Sequence, residues 1–85
     1  MASYKLLIKR SAAKELEELP AKIRKRMSMR IQGLATDPRP PGAEKLSGQD
    51  KYRVRQSDYR VLYAIDDGAE TVTIVKVGHR REVYR

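Results

Sequence analysis

The chain has no cysteine and a single histidine. Disulfides and thiolate metal sites are therefore excluded, and a lone imidazole disfavours any ordinary metal centre. No stretch approaches the apolar run that a membrane span needs, and "MASYKLLIKR" lacks the apolar core and cleavage site of a signal peptide. A cytoplasmic protein is expected. Acidic residues are also scarce, with 11 Asp and Glu against 19 Lys and Arg, a formal net charge of +8. An excess of that sign points to polyanionic partners, either nucleic acid or an acidic protein. With 85 residues, 40% of them hydrophobic, the chain allows one domain (1–85) around one modest core.

The excess is uneven. Residues 1–36 hold nine basic and three acidic side chains, against ten and eight in residues 37–85. Five of the early cations, Lys22, Arg24, Lys25, Arg26 and Arg30, lie in "KIRKRMSMR", which gives a basic helix surface suited to an RNA or DNA backbone or, equally, an ordinary solvated helix face.

A second cationic surface comes from "KYRVRQSDYRVLYAI". "RVR" and "YRVLY" alternate as half-buried strands do, and "QSD" between them is turn chemistry, so the stretch predicts a hairpin. A two-residue turn at Ser57 and Asp58, or a four-residue one from Gln56 to Tyr59, sets Arg55 opposite Arg60, Val54 opposite Val61, Arg53 opposite Leu62 and Tyr52 opposite Tyr63. Tyr52, Val54, Val61 and Tyr63 then form an apolar face, and Arg53, Arg55 and Arg60 project from the other. Like charges directly opposite one another are destabilising, so the pattern suggests a face kept for an anion. A solvated sheet face is the plainer alternative.

Around this hairpin, "YKLLIKR" reads as a first strand, Ser11 as a helix N-cap, and "AAKELEEL" as a helix with Ala12, Leu16 and Leu19 on one side. Glu15, Glu17 and Glu18 read as solvated. Pro20 suits the first turn of a second helix whose apolar stripe is Ile23, Met27, Ile31 and Leu34. "TDPRPPG" stops that helix and opens an irregular segment running through "AEKLSGQD". "DDGAE" supplies a turn, "TVTIVKVG" a last strand, and "HRREVYR" a short polar tail. The expected fold is α+β, ordered β-α-α-β-β-β, with a helical hairpin packed on one face of a largely antiparallel sheet.

Arg53, Arg55 and Arg60, joined by Arg80 and Arg81 after the last strand, are the first chemical constellation. Guanidinium forks match phosphate oxygens and stay charged at any relevant pH, so several aimed at one spot stabilise a phosphorane-like transition state; they also make a nucleic-acid docking surface. His79 and Tyr84 are the second. A histidine moves protons near neutrality and a tyrosine stacks on a base, although an end-of-strand histidine is often merely exposed and a terminal tyrosine often packs.

"EKLSG", then "KYRVRQSDYRVLY", then "VGHRREVY" resemble, in order and spacing, the RelE branch of the RelE/ParE superfamily of bacterial and archaeal toxins. The similarity covers essentially the whole chain. It implies a toxin that enters the ribosomal A site and cleaves mRNA without a metal ion or other cofactor, and that is neutralised by a RelB-like antitoxin. Arg53 and Arg55 match two basic residues, often lysines, on the family's second strand; Arg60 matches the arginine of its "YR", Arg80 the arginine after the last strand, and Tyr84 the tyrosine that stacks on the mRNA base. By the same resemblance the partners are the 70S ribosome with its 16S rRNA, mRNA, and the antitoxin, through which the complex binds operator DNA.

Two departures stand out. Arginine is a poor general base where the family often has lysine, which directs attention to His79, and no longer C-terminal helix is expected after Arg85. The resemblance implies attack by a ribose 2′-hydroxyl on the adjacent phosphate, and the charge of Lys22, Arg24, Lys25, Arg26, Arg30 and Arg81 suits them to grip RNA. A ParE-like gyrase inhibitor without nuclease activity, or a basic RNA-binding domain without activity, are the alternatives.

Overall fold

The computed structural model describes residues 3–46, 48 and 50–83. Its elements are β1 (Lys5–Ile8), α1 (Arg10–Glu17), α2 (Ala21–Thr36), β2 (Glu44–Lys45), β3 (Lys51–Gln56), β4 (Tyr59–Asp66) and β5 (Thr71–His79). They form a five-stranded sheet in the order β1-β5-β4-β3-β2. Among the described strands only the β1–β5 pair is parallel. The α+β class and the helix pair over one sheet face agree with expectation.

The hairpin forms in the expected register, with Arg55 opposite Arg60, Val54 opposite Val61, Arg53 opposite Leu62 and Tyr52 opposite Tyr63. Ser57 takes a left-handed φ of 56°, which a tight two-residue turn demands of its first residue. Val54, Val61 and Tyr63 are fully buried against Met27, Ile31 and Leu34 of α2 and Ala12 of α1. Each large side chain of that cluster contributes about 1.5–3 kcal/mol relative to leaving it in water.

Three local expectations are corrected. Ser11 lies inside α1, whose N-cap is Lys9 and has no side-chain cap bond. The Lys9 N–H is bonded to the Ile74 carbonyl at 3.0 Å while its own carbonyl accepts from Ala13, so the chain passes from strand pairing into helix without a capping residue. The segment expected to be irregular contains β2, whose two residues pair with Arg53 and Tyr52. The polar tail also turns back, because the Glu82 and Val83 N–H groups bond to the His79 carbonyl and Val83 is buried.

Arg39 fastens the long α2–β2 connection to the sheet. Its guanidinium makes two bonds to Asp67 (3.2 and 2.9 Å), donates from Nε to the Tyr52 hydroxyl (3.1 Å) and lies 5.2 Å from the Tyr52 ring centre. Tyr4 donates its hydroxyl to the same carboxylate at 2.7 Å, and Tyr63 donates to the Pro38 carbonyl at 2.7 Å.

These contacts set the pH response. Hydrogen bonds from Arg39 and Tyr4 hold the Asp67 carboxyl below its ordinary value, so its contribution is present above the usual carboxylate range and is lost as the folded-state value is crossed in acid. Burial pushes the Tyr63 phenol up to about 12, so its contribution is intact below 10 and is lost as pH rises through that window. Urea midpoints measured across pH are expected to fall at both ends, with Tyr63→Phe reducing the alkaline fall and Asp67→Asn the acid one. A Tyr63→Phe variant with the full alkaline loss would assign that limb to other groups.

Candidate active site

The face opposite the helices carries the cations. Sheet register sets two rows across it: Glu44, Arg53, Leu62 and Lys76 in one, and Arg55, Arg60 and Gly78 in the other. The Arg80 N–H bonds to the Asp58 carbonyl at 2.8 Å, which brings exposed Arg80 to the hairpin turn at the end of the second row. Arg53, Arg55 and Arg60 thus share one face, as expected from the alternation.

Arg60 is less open than that alternation suggested. Only 9% of the residue is exposed. Its Nη1 folds back on the turn, donating to the Tyr59 carbonyl at 3.2 Å and, more weakly, to that of Ser57 at 3.4 Å. The buried Nε has no hydrogen-bond partner among the described residues. Across the ladder from it, Gly78 has open space where a side chain would stand, with nothing within 4 Å of an added Cβ. The surface beside Arg60 is therefore clear for a ligand.

Two residues of this face escaped the sequence reading. Lys76 reaches it because the ladder slips between Leu62 and Tyr63, pairing them with Lys76 and Ile74. Beyond Val72 and Ile74, strict alternation would have sent Lys76 into the core; the bulge sends Val77 inward instead. A lysine at core parity was the available signal. Glu44, on β2, bonds through Oε2 to Arg53 Nη2, and its Oε1 lies 3.9 Å from Arg55 Nη2. It is the acidic residue of these rows.

His79 lies elsewhere. It pairs with Tyr59 on the helix-covered side, its ring edge-on to the tyrosine at 5.5 Å, and its Nδ1 accepts the Arg81 N–H at 3.2 Å. Both rings line a groove of about 580 Å³ that also includes Glu15, Glu18 and Glu82. Lys76 and Gly78 line it as well, so the groove follows the end of β5, while His79 itself stands on the helix-covered side. Lys22, Arg24, Lys25 and Arg26 are exposed on α2, also in the helix layer, while Arg30 is half-buried with no hydrogen-bond partner for its Nε among the described residues. The two basic surfaces thus occupy opposite sides of the domain. Arg81 is exposed, and Tyr84 lies outside the described residues. Among the described residues no cluster of three or more His, Cys, Asp or Glu side chains is placed to hold a metal ion.

Guanidinium groups on an open sheet face have the charge and planar geometry to pair with phosphate oxygens. The family model for the ParE toxin of the type II toxin-antitoxin system parDE matches residues 6–84. The chain belongs to the RelE/ParE toxins. Among RelE/ParE proteins, Toxin RelE of Mycobacterium tuberculosis is 34% identical over 84 residues, spanning 96% of this chain and 87% of that protein. The toxin-antitoxin complex RelBE2 of the same organism includes a chain that superposes with a TM-score of 0.80 at 28% identity, over 92% of this chain and 99% of the other. The isolated E. coli RelE toxin gives 0.80 at 30% identity, over 96% and 92%. Against these RelE/ParE folds the five-stranded sheet and its two helices correspond as whole elements.

Proposed function

We infer that this type II toxin cleaves mRNA on the ribosome. The observation that carries the reading is the alignment of Arg53, Arg55 and Arg60 on one uncovered sheet face, in a chain 34% identical to a protein named Toxin RelE. The ribose 2′-hydroxyl gives its proton to solvent or a ribosomal group and its oxygen bonds to the adjacent phosphorus, as the bond from phosphorus to the 5′-oxygen breaks and that oxygen takes up a proton from the same surroundings. The products are a 2′,3′-cyclic phosphate and a 5′-hydroxyl end. Arg53, Arg55, Arg60 and Arg80 bind the phosphate and stabilise the charge gathering on its oxygens, and Tyr84 holds the base. No cofactor enters. No helix covers the arginine face, so the 70S ribosome supplies positioning, with Lys22, Arg24, Lys25 and Arg26 on 16S rRNA. A RelB-like antitoxin neutralises the toxin, as solved RelB–RelE complexes of similar fold suggest, and carries the complex to operator DNA. The setting is the cytoplasm; no described helix is long and apolar enough to cross a membrane.

Because the matching family model bears the ParE name, gyrase inhibition is the second reading. It gives no reason for Arg53, Arg55 and Arg60 to share one uncovered sheet face. A message carrying a 2′-deoxy nucleotide at the cut site separates the two. Cleavage of the all-ribose message to a 5′-hydroxyl end, and none of the deoxy one, is the expected pattern. Equal cutting of both would remove the 2′-oxygen from the mechanism.

His79 on the far side of the sheet favours electrostatic catalysis over a histidine proton relay. His79→Ala is expected to slow single-turnover cleavage by less than about tenfold and to leave the pH profile's shape unchanged, since a true proton-transfer group contributes about 10²-fold or more. A large loss that also flattens a limb near neutrality would restore the relay.

A further inference from the structure

Glu44 is an anion on a face otherwise suited to bind one. Its two carboxylate oxygens engage Arg53 and Arg55 separately, as two non-bridging oxygens of a phosphodiester would. The pairing is fixed by sheet register, because Glu44 stands directly opposite Arg53. Three arginines arranged across two strands also repel one another, and a carboxylate at their edge relieves that repulsion in the absence of RNA.

The pair is built to be exchanged. Glu44 is 54% exposed and Arg55 57%, whereas Arg53 is 19% exposed and so is held in place by its surroundings. Ion pairs with partners this exposed add little net stability and weaken with salt. Glu44 also sits on an edge strand of two residues, the shortest in the sheet. The guanidinium of Arg53 is thus anchored while its anion is on the mobile side of the exchange.

We propose that Glu44 is an intramolecular competitor for the RNA phosphate: it occupies Arg53 and Arg55 in the free toxin and has to be displaced before they take hold of a backbone phosphate. This rests on the RNA-cleaving reading of the face and adds a selectivity device to it. A lone strand of RNA competes poorly with a tethered carboxylate, whereas an mRNA already held on the ribosome does so at high effective concentration. Arg60 and Arg80 make no ion pair with Glu44 among the described contacts, so they provide the first foothold.

Binding of a short, uncleavable 2′-O-methyl oligoribonucleotide to the full chain, followed by fluorescence anisotropy over a series of salt concentrations, tests this. Wild type, Glu44→Gln, Glu44→Asp and Arg53→Ala are compared. Glu44→Gln is expected to bind about tenfold more tightly at low salt, with a log–log salt slope steeper by about 0.7 for each additional phosphate engaged. Glu44→Asp keeps the charge and is expected to stay near wild type in slope. Arg53→Ala should weaken binding and flatten the slope. If Glu44→Gln matches wild type in affinity and slope while Arg53→Ala still weakens binding, the competitor role fails and the RNA-binding face stands. Weaker binding by Glu44→Gln would mean that Glu44 orients the arginines for RNA, which also overturns the proposal. If no variant binds the oligonucleotide, the RNA reading of the face falls and the competitor role with it.

Discussion

Arg60→Ala is expected to slow single-turnover mRNA cleavage on programmed ribosomes by about 10²-fold or more, the usual cost of removing one donor from an oxyanion-type site. Arg60 is placed for that role by its position in the central strand pair, between Arg55 and the open surface at Gly78. Its burial adds a structural cost that a freely projecting arginine would not have, because the residue is 9% exposed and Nη1 donates to turn carbonyls. A fall of a few degrees in the melting temperature therefore accompanies the loss of rate. Arg60→Lys separates the two effects. It keeps a charge and much of the stem but lacks the planar fork, so it should restore stability more than rate. A folded Arg60→Ala protein that cleaves nearly as fast as wild type would remove the shared-face mechanism.

The second large effect is expected at Tyr63. Among the described residues it is the largest fully buried side chain, it stacks on Tyr52 at a ring separation of 5.9 Å, and its hydroxyl ties Pro38 to the sheet. Truncating a buried aromatic to alanine costs about 3–5 kcal/mol. A domain of this length holds only about 4–13 kcal/mol in total, at ~0.05–0.15 kcal/mol per residue. Tyr63→Ala should therefore lower the urea midpoint severely and yield little soluble protein. Tyr63→Phe keeps the ring and leaves only the Pro38 carbonyl without its donor, at about 1–3 kcal/mol. The packing of the ring, and not only the hydroxyl, should decide the outcome. Equal losses for the two variants would instead place the stabilisation in the hydroxyl bond.

Period-2 alternation together with a tight turn at Ser57 and Asp58 made the central hairpin legible to the level of individual cross-strand pairs, because alternation fixes the shared face of Tyr52, Val54, Val61 and Tyr63 and the turn length fixes the register. Helical spacing did the same for the buried stripe of α2. Three features were not legible, each for its own reason. Glu44 sits on a strand too short to show a period, so its approach to Arg53 is a tertiary fact. Lys76 changes face through a bulge, which sequence betrays only as a lysine where a core residue was due. Arg39 joins Tyr52 and Asp67 across separations of 13 and 28 residues, beyond any local pattern. The burial of Arg60 belongs with these: alternation assigns a face, but not whether a long side chain stands up from it or lies down along it.

The most direct measurement of the central claim is a map of mRNA 5′ ends after induction of the toxin, taken for one message in a translated form and in a form whose initiation site has been removed. Ribosome-dependent cleavage predicts new 5′-hydroxyl ends at codon-related positions in the translated message and none in its untranslated counterpart. Intact mRNA in both, with gyrase stalled on DNA, would contradict it.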